Sequence, residues 1–452
     1  MLIDAYNLFH EGTLALEEAE SNGFLIDSTY YKKHAKKYKQ EAEQILEEIK
    51  EDDFFKPWCK HYKDKMNVNS TDQLSWFLYE YLKLKSIKES DAGNNSVDKD
   101  VLSKLAIDEL KPLIRLRKIE KIRNTYIKSF LREQWDNRIH ADYNLHIPAT
   151  YRSSCSSPNL QNIPIRDPEI GAVIRGGIRP RPGHQIIEVD YGAIEVAISA
   201  VYHKDPNMII YIKDPTTDMH KDTAIDIFLL DDLDKSNKNE STIRGETKNK
   251  FVFPEFYGSF YGSCAPELWN TARECKLANG LPLITHLRKK GIRNYQQFEN
   301  HVKKAEDIFW NERFAVYTEW KKKQWKRFQK MGYLKTKIGF EFKTIMNDRQ
   351  CSNYPIQGTA FHCLLWSFIQ VHKFIKAKRL NSRLIGQVHD SMILDVDPVE
   401  RDYLLRYIKW VSTIKIRKEF SWINVPLKVE AEGADIDEPW SMKKDIEIKE
   451  KK

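Results

Sequence analysis

Three short strand-like runs, each ending in aspartate, fall in two distant parts of this sequence. HQIIEVD (184–190) is one; SRLIGQVHD (382–390) and SMILDVD (391–397) are the other two, and they follow each other directly. Each is aliphatic and bounded by turn signals. The intervening residues 205–345 read as mostly helical, with aromatic and basic clusters such as YTEWKKKQWKRFQKMGY (317–333). Such a chain leaves an antiparallel sheet, builds a long helical excursion and returns to the same sheet. At 452 residues it has room for about three domain-sized units, but two of them must be interleaved.

The first third reads differently. Residues 29–50 and 101–132 are expected to be two long helices, the second carrying apolar Leu102, Leu105, Leu110, Leu113, Ile114, Ile119 and Ile122 near helical spacing. Lys111, Arg115, Arg117, Lys118, Lys121, Arg123 and Lys128 interleave with them, and Pro112 starts or kinks part of the helix. SIKESDAGNNSVDKD (86–100) reads as an exposed loop at the tip of the hairpin. The last ten residues, KKDIEIKEKK, read as a frayed charged tail.

Composition sets the class. A hydrophobic share of 41 % with 53 aromatic residues (21 Phe, 21 Tyr and 11 Trp) supports a large core despite 31 % charge. No run approaches the roughly 18 apolar residues of a membrane span, and the start MLIDAYNLFHEG lacks a signal pattern. Six scattered cysteines with no CxxC pair read as reduced thiols. These features predict a soluble, cytoplasmic protein. A net charge of +8 is a weak pointer to a polyanionic partner.

Asp190 ends a strand-like run and opens YGAIEVAISA, so it belongs at a strand end. His389-Asp390 falls at the apex of a hairpin. Two carboxylates brought to one sheet edge can hold two divalent cations about 4 Å apart, which suits phosphoryl transfer. In RGETKNKFVFPEFYGS (244–259), Arg244 and Lys248 are four apart, and two cations near a helix N-terminus suit a triphosphate. Phe253 and Tyr257, also four apart, form an aromatic face on which a base could stack. Gly258 ends the helix or allows a close backbone approach. In isolation each has a plainer explanation: a structural Asp at a strand end, and a surface helix with a buried aromatic stripe.

Taken together, the motifs resemble family A DNA polymerases. DYGAIEVAISA is similar to the first palm motif, RGETKNKFVFPEFYG to the fingers helix, and QVHDSMILDV to the second palm carboxylate motif. TYRSSCSSPNLQNIPIR (150–166), TTDMHKDTA (216–224), RQCSNYPIQGTA (349–360), GFLIDSTYY (23–31) and NVNSTDQLSWFLYE (67–80) add matches in family order over about residues 10–440. The resemblance implies an α+β right-hand polymerase with an antiparallel palm sheet, helical fingers and helical thumb. Its parts would be an N-terminal lead-in (1–13), thumb (14–132), palm (133–204 and 346–442), fingers (205–345) and the charged tail (443–452).

The resemblance also implies roles. Asp190 and Asp390, with the Tyr191 backbone carbonyl, would ligate two Mg²⁺ ions, for which Mn²⁺ could substitute. Lys248 and Arg244 would serve catalysis at the triphosphate, with His220 and Arg166 at its phosphates. Phe253 would pack on the incoming sugar and base, Tyr257 would sit beside the templating base, and Glu195 would close over the sugar C2 position. Arg152 and the face Arg349, Asn353 and Gln357 would read minor-groove acceptors common to all base pairs. His389 would lie near the primer terminus, and the basic 101–132 helix would grip duplex phosphates. Partners would be primer-template DNA and dNTPs, with the protein a monomer.

Three departures from the family pattern stand out. Lys248 to Tyr257 is nine residues, one longer than usual, and Pro254 falls inside. A lost hydrogen bond and one extra residue predict a locally bulged or kinked helix that keeps Lys248 and Phe253 on the nucleotide side. Ser391 follows Asp390 where an acid is common, so it is left out of the metal ligands, and Gly192-Ala193 replaces a more polar pair. The thumb resemblance begins near the first residue, which predicts no intrinsic 3′–5′ exonuclease, with proofreading left to a separate chain or replisome protein and a phage-type source. A single-subunit RNA polymerase shares the carboxylates and a similar helix, but Glu195 argues for deoxynucleotides. An inert replication factor is the other alternative, against which the joint presence of Asp190, Asp390, Lys248 and Arg244 argues.

Overall fold

The computed structural model describes residues 2–86, 93–163 and 167–449. Its centre is a five-stranded antiparallel sheet built from β1 (Gln185–Tyr191), β2 (Arg383–Val388), β3 (Ser391–Val396), β4 (Val429–Gly433) and β5 (Lys444–Ile446), in the order β5-β4-β1-β3-β2. The distant strand runs do meet: β3 pairs antiparallel with both β1 and β2. Alternation along β1 serves two cores. Ile187, Val189 and Tyr191 pack into the larger one with the helices that follow, while Ile186 joins the core of the first helical lobe.

The long excursion is helical as expected, and it forms a lobe over the end of the sheet where β1 stops. It includes α3 (Met219–Phe228), a helix in three segments over Lys238–Thr247, Lys248–Val252 and Phe253–Phe256, and α4 (Ala315–Met331). The chain returns through α5 (Asp348–Lys378), a 31-residue helix opened by an Asn347/Gln350 capping box and buried along most of its length, with α4 and α2 (Ile194–His203) among the helices packed on it. The first lobe holds the expected helix at Ser28–Glu51, capped by Asp27.

Several expectations are corrected. The 101–132 helix is broken: Lys99–Lys104 ends before Ala106, which takes a positive φ of 53°, and a new helix starts at Leu110, with Pro112 in its first turn. Its cations are mostly engaged within the fold. Arg115 binds Glu41 and Glu169, Lys118 binds Asp167 and Glu169, Arg117 donates to the Val97 carbonyl, and Lys111 and Arg123 pair with Asp108 and Glu120. Lys121 and Lys128 are the members of that run whose side chains make neither an ion pair nor a hydrogen bond among the described residues. The proposed boundary at 13/14 falls inside one helix, α1 (Leu2–Asn22), which packs on α5 and β2 beside the main sheet. The first four residues of the proposed charged tail are part of the fold. Lys444–Ile446 is the edge strand β5, and Lys443 Nζ reaches Glu188 Oε2 at 2.7 Å beneath the sheet. The 86–100 loop falls partly outside the described residues.

Candidate active site

Asp190 lies at the last turn of β1, opposite Ser391 on β3 and Glu430 on β4. Asp390 occupies the β2–β3 hairpin turn, which His389 closes with a φ of 52°. The Tyr191 N–H donates to the Asp390 carbonyl at 3.2 Å, tying the turn to the strand end. Burial pushes the Asp190 carboxyl up to about 7, and the charges of Asp390, Glu188 and Glu430 add to the effect. Crowded anions with little solvent are a donor set that a hard divalent cation would relieve. Both carboxylates line one cleft of about 270 Å³, together with Glu195, Phe253, Tyr257 and the α5 residues Asn353 and Gln357.

Arg152 ties this cleft together. Its guanidinium donates to Asp390 Oδ1 at 3.2 Å and binds Glu195 Oε1 at 3.1 Å. Tyr257 Oη donates to the other Glu195 oxygen at 2.8 Å. Arg152 is carried in by a segment that crosses α5 at Gly358, where a Cβ would stand 2.6 Å from the Thr150 carbonyl oxygen. Gly258 serves a similar end: its φ is +89° and a Cβ there would meet Arg349 Cδ at 2.8 Å. Asn353 and Gln357 thus enter the cleft, whereas Arg349 stays exposed at its rim against Gly258. Ser391 gives its hydroxyl to the Val388 carbonyl at 2.8 Å and lies 3.2 Å from Glu188.

A second cavity of about 260 Å³ adjoins the first across Phe253 and is lined by His220, Arg244, Lys248 and Asp218. Arg244 and Lys248 do share a face, but they stand mid-helix, seven and eleven residues after the Asn237 cap. The helix N-terminus beside them is that of α3, and its cap residue Asp218 accepts from the His220 and Lys221 N–H groups. Asp218 Oδ2 also takes Arg244 Nε at 2.7 Å, and these partners hold its carboxyl down at about 2 despite burial. Burial, then Arg244 and Lys248, pushes His220 down to about 4, so its ring is neutral near pH 7. Its buried Nδ1 has no hydrogen-bond partner. Arg166 lies outside the described residues.

The helix that carries these cations is bulged where expected. Residues Lys248–Val252 are π-helical, and the Phe253 N–H bonds to the Lys248 carbonyl five residues back. Lys248 Nζ sits 5.0 Å from the centre of the Phe253 ring, so both residues face the second cavity.

The model of DNA polymerase family A matches residues 32–438. The chain belongs to DNA polymerase family A. It is 28 % identical over 400 residues to DNA polymerase I of Caldicellulosiruptor bescii, covering 87 % of this chain and 43 % of that protein. With DNA polymerase I of Bacillus subtilis it shares 29 % identity over 427 residues, 92 % of this chain and 44 % of the relative. The chain therefore spans a little over two-fifths of the length of these curated relatives. The POL domain of Pol1 from M. smegmatis, in complex with DNA primer-template and dNTP, superposes with a TM-score of 0.72 at 22 % identity, covering 94 % of this chain and 69 % of that one. These relatives are bacterial, and they lend no support to a phage source.

In this family A polymerase chain the sequence left some site residues unread. Asp218 is one, because its role rests on a contact with Arg244, 26 positions away. Glu430 and Lys428 are others: β4 places Glu430 opposite Asp190, and the Lys428 carbonyl accepts the Gly192 N–H at 3.0 Å. An aspartate directly before a helical run, the N-cap pattern in TTDMHK, is the signal for Asp218; none marks β4. Among the described residues no three His, Cys, Asp or Glu side chains form a metal cage, so any ion here would lean on two carboxylates and the backbone. No described helix is long and apolar enough to cross a membrane.

Proposed function

We propose that this chain is a template-directed DNA polymerase, extending a primer 3′ end with deoxynucleotides and releasing pyrophosphate. The observation that carries the reading is the meeting of Asp190 and Asp390 at one sheet edge, across one cleft wall from the Arg244, Lys248 and His220 cluster. The sheet is the palm, the lobe over its end the fingers, and the first helical lobe the thumb. Asp190, Asp390 and the Tyr191 carbonyl would hold two divalent cations, Mg²⁺ or Mn²⁺. Bound there, such ions supply charge neutralisation for the attacking and leaving oxygens.

The chain's own residues do the rest. Lys248 and Arg244 neutralise the triphosphate, and neutral His220 offers a ring N–H to it. Phe253, held beside Lys248 by the bulge, packs on sugar and base. Glu195, fixed by Arg152 and Tyr257, closes the sugar C2 side, where a ribose hydroxyl would crowd its carboxylate. Asn353 and Gln357, with Arg349 at the rim, meet the minor groove of the nascent pair, and His389 sits at the primer side of the hairpin turn. Lys121 and Lys128 are the thumb-helix cations left to meet duplex phosphates.

Extension of a labelled primer on a template, in Mg²⁺ and in chelator, tests the reading. Wild type should extend with dNTPs in Mg²⁺ alone, and Asp190→Ala should abolish extension while duplex binding persists. Extension that survives Asp190→Ala would refute the assignment.

A further inference from the structure

Glu255 is a carboxylate for which the polymerase reading has no use, and it is 2 % exposed. It lies in the last turn of the bulged helix, between Pro254 and Phe256. Trp310 Nε1 donates to Glu255 Oε2 at 2.8 Å, and Cys264 Sγ is 3.7 Å from Oε1. Glu306 is its acidic neighbour; burial and that charge push Glu255 up to about 8. Trp310 is itself fixed on several sides. Lys321 Nζ stands 3.2 Å from its ring centre, and the ring packs on Phe256 at 5.9 Å and on Tyr317 at 5.5 Å. Phe256 and Tyr317 line the cleft together with Tyr257.

Regular α-helical bonding is interrupted at this turn: Pro254 offers no N–H, the preceding ladder is π-helical, the Tyr257 N–H is shared between the Phe253 and Pro254 carbonyls, and the next amides fold back as Gly258 N–H to Glu255 and Ser259 N–H to Pro254. Two side-chain anchors remain: Tyr257 on Glu195 of the sheet body, and Glu255 on Trp310 of the helical lobe. We infer that Glu255 is a positioning residue which, through Trp310, sets how far Phe256 and Tyr257 reach toward Glu195, and so sets the discrimination between deoxy- and ribonucleotides. The inference rests on the polymerase reading above.

The experiment measures single-nucleotide insertion of dCTP and rCTP on one primer-template by wild type, Glu255→Gln, Glu255→Leu and Trp310→Phe, with melting temperatures recorded in parallel. Glu255→Gln keeps an acceptor for the indole, so its ratio of kcat/KM for dCTP over rCTP should stay within about threefold of wild type. Glu255→Leu and Trp310→Phe each remove the hydrogen bond and should lower that ratio by about tenfold, mainly through a higher KM for dCTP and a lower one for rCTP. Trp310→Phe retains the aromatic packing, so it decides the matter if Glu255→Leu does not fold. Variants that melt earlier or lose rate on both nucleotides with an unchanged ratio would show Glu255 to be only structural. A wild type that extends with neither nucleotide would instead overturn the polymerase reading itself.

Discussion

Tyr257 Oη donates to Glu195 Oε2 at 2.8 Å, joining the end of the bulged helix to the first turn of α2. Arg152 holds the other Glu195 oxygen at 3.1 Å and reaches on to Asp390 at 3.2 Å. The residue proposed to guard the sugar is thus wired to a proposed metal carboxylate through one guanidinium. Burial raises the Glu195 carboxyl, and Arg152 and Tyr257 counter that rise by favouring the charged form.

Glu195→Ala removes both the bulk and the charge at the C2 side. Its discrimination against ribonucleotides should fall by about 100-fold or more, whereas Tyr257→Phe, which leaves the carboxylate in place, should relax it by about tenfold. Competitive insertion of dNTP and rNTP measures both. Equal discrimination in wild type and Glu195→Ala would remove Glu195 from the sugar contact.

Asp190 should make the metal-free protein less stable than its neutral variant. Its carboxyl is pushed up to about 7 from the ordinary 3.8, so the folded state holds the proton more tightly than the unfolded chain does. Above pH 7 both states are ionised and the fold bears the full penalty; as pH falls from 7 toward 3.8 the folded site takes up a proton and the penalty shrinks to nothing. Asp190→Asn should therefore be more stable by about 1–3 kcal/mol at pH 8 and indistinguishable near pH 4. Urea unfolding in EDTA at the two pH values checks this, and an Asn variant no more stable at pH 8 contradicts it.

How far the fold could be read from sequence depended on how local the cause was. β1, β2 and β3 were legible because apolar runs with turn signals define strands wherever they lie. The bulge was legible because Pro254 and one extra residue both act within two turns. The edge strand β5 was not: KKDIEIKEKK carries few apolar residues, and what orders residues 443–446 is a pairing with β4 and a part-buried Lys443–Glu188 contact across 255 positions. The break at Ala106 was hidden by an apolar spacing that runs on through it. In the site, the structure brings Asp190 and Asp390 together and groups Arg244, Lys248 and His220 beside them, as motifs in the sequence suggest, but the partners that aim them, Asp218 for Arg244 and Arg152 for both Glu195 and Asp390, exist only through the fold.

Lys443 should matter for stability although it lies in a stretch that reads as a tail. Glu188 is 7 % exposed; burial acts against its charge, and Lys443, Arg175 and the Trp440 indole outweigh it, so its carboxyl lies below the usual range. A depressed carboxyl lends stability above its unfolded pKa and loses it as pH falls through the folded value. Lys443→Met should cost about 2–4 kcal/mol at pH 7, with the deficit narrowing in acid below about pH 4. Thermal unfolding of the variant at pH 7 and pH 4 reads this out, and a pH-independent deficit would point to packing alone.

Substituting Asp218 should separate nucleotide binding from chemistry. Oδ1 caps α3 and Oδ2 holds Arg244 and Lys235, so Asp218→Asn keeps an acceptor for the cap but removes the charge that aims Arg244. If Arg244 grips the triphosphate before reaction, its release weakens ground state and transition state alike. KM for dNTP should then rise about tenfold with kcat within about threefold. The same variant should lose about 1–2 kcal/mol of stability at pH 7, a loss that fades as pH drops from the ordinary 3.8 through the folded value of about 2, because the native carboxylate itself becomes protonated there. Steady-state primer extension across dNTP concentration distinguishes the cases: a fall in kcat with unchanged KM would place Arg244 on the transition state instead, and no change in either would mean that Asp218 serves only the α3 cap.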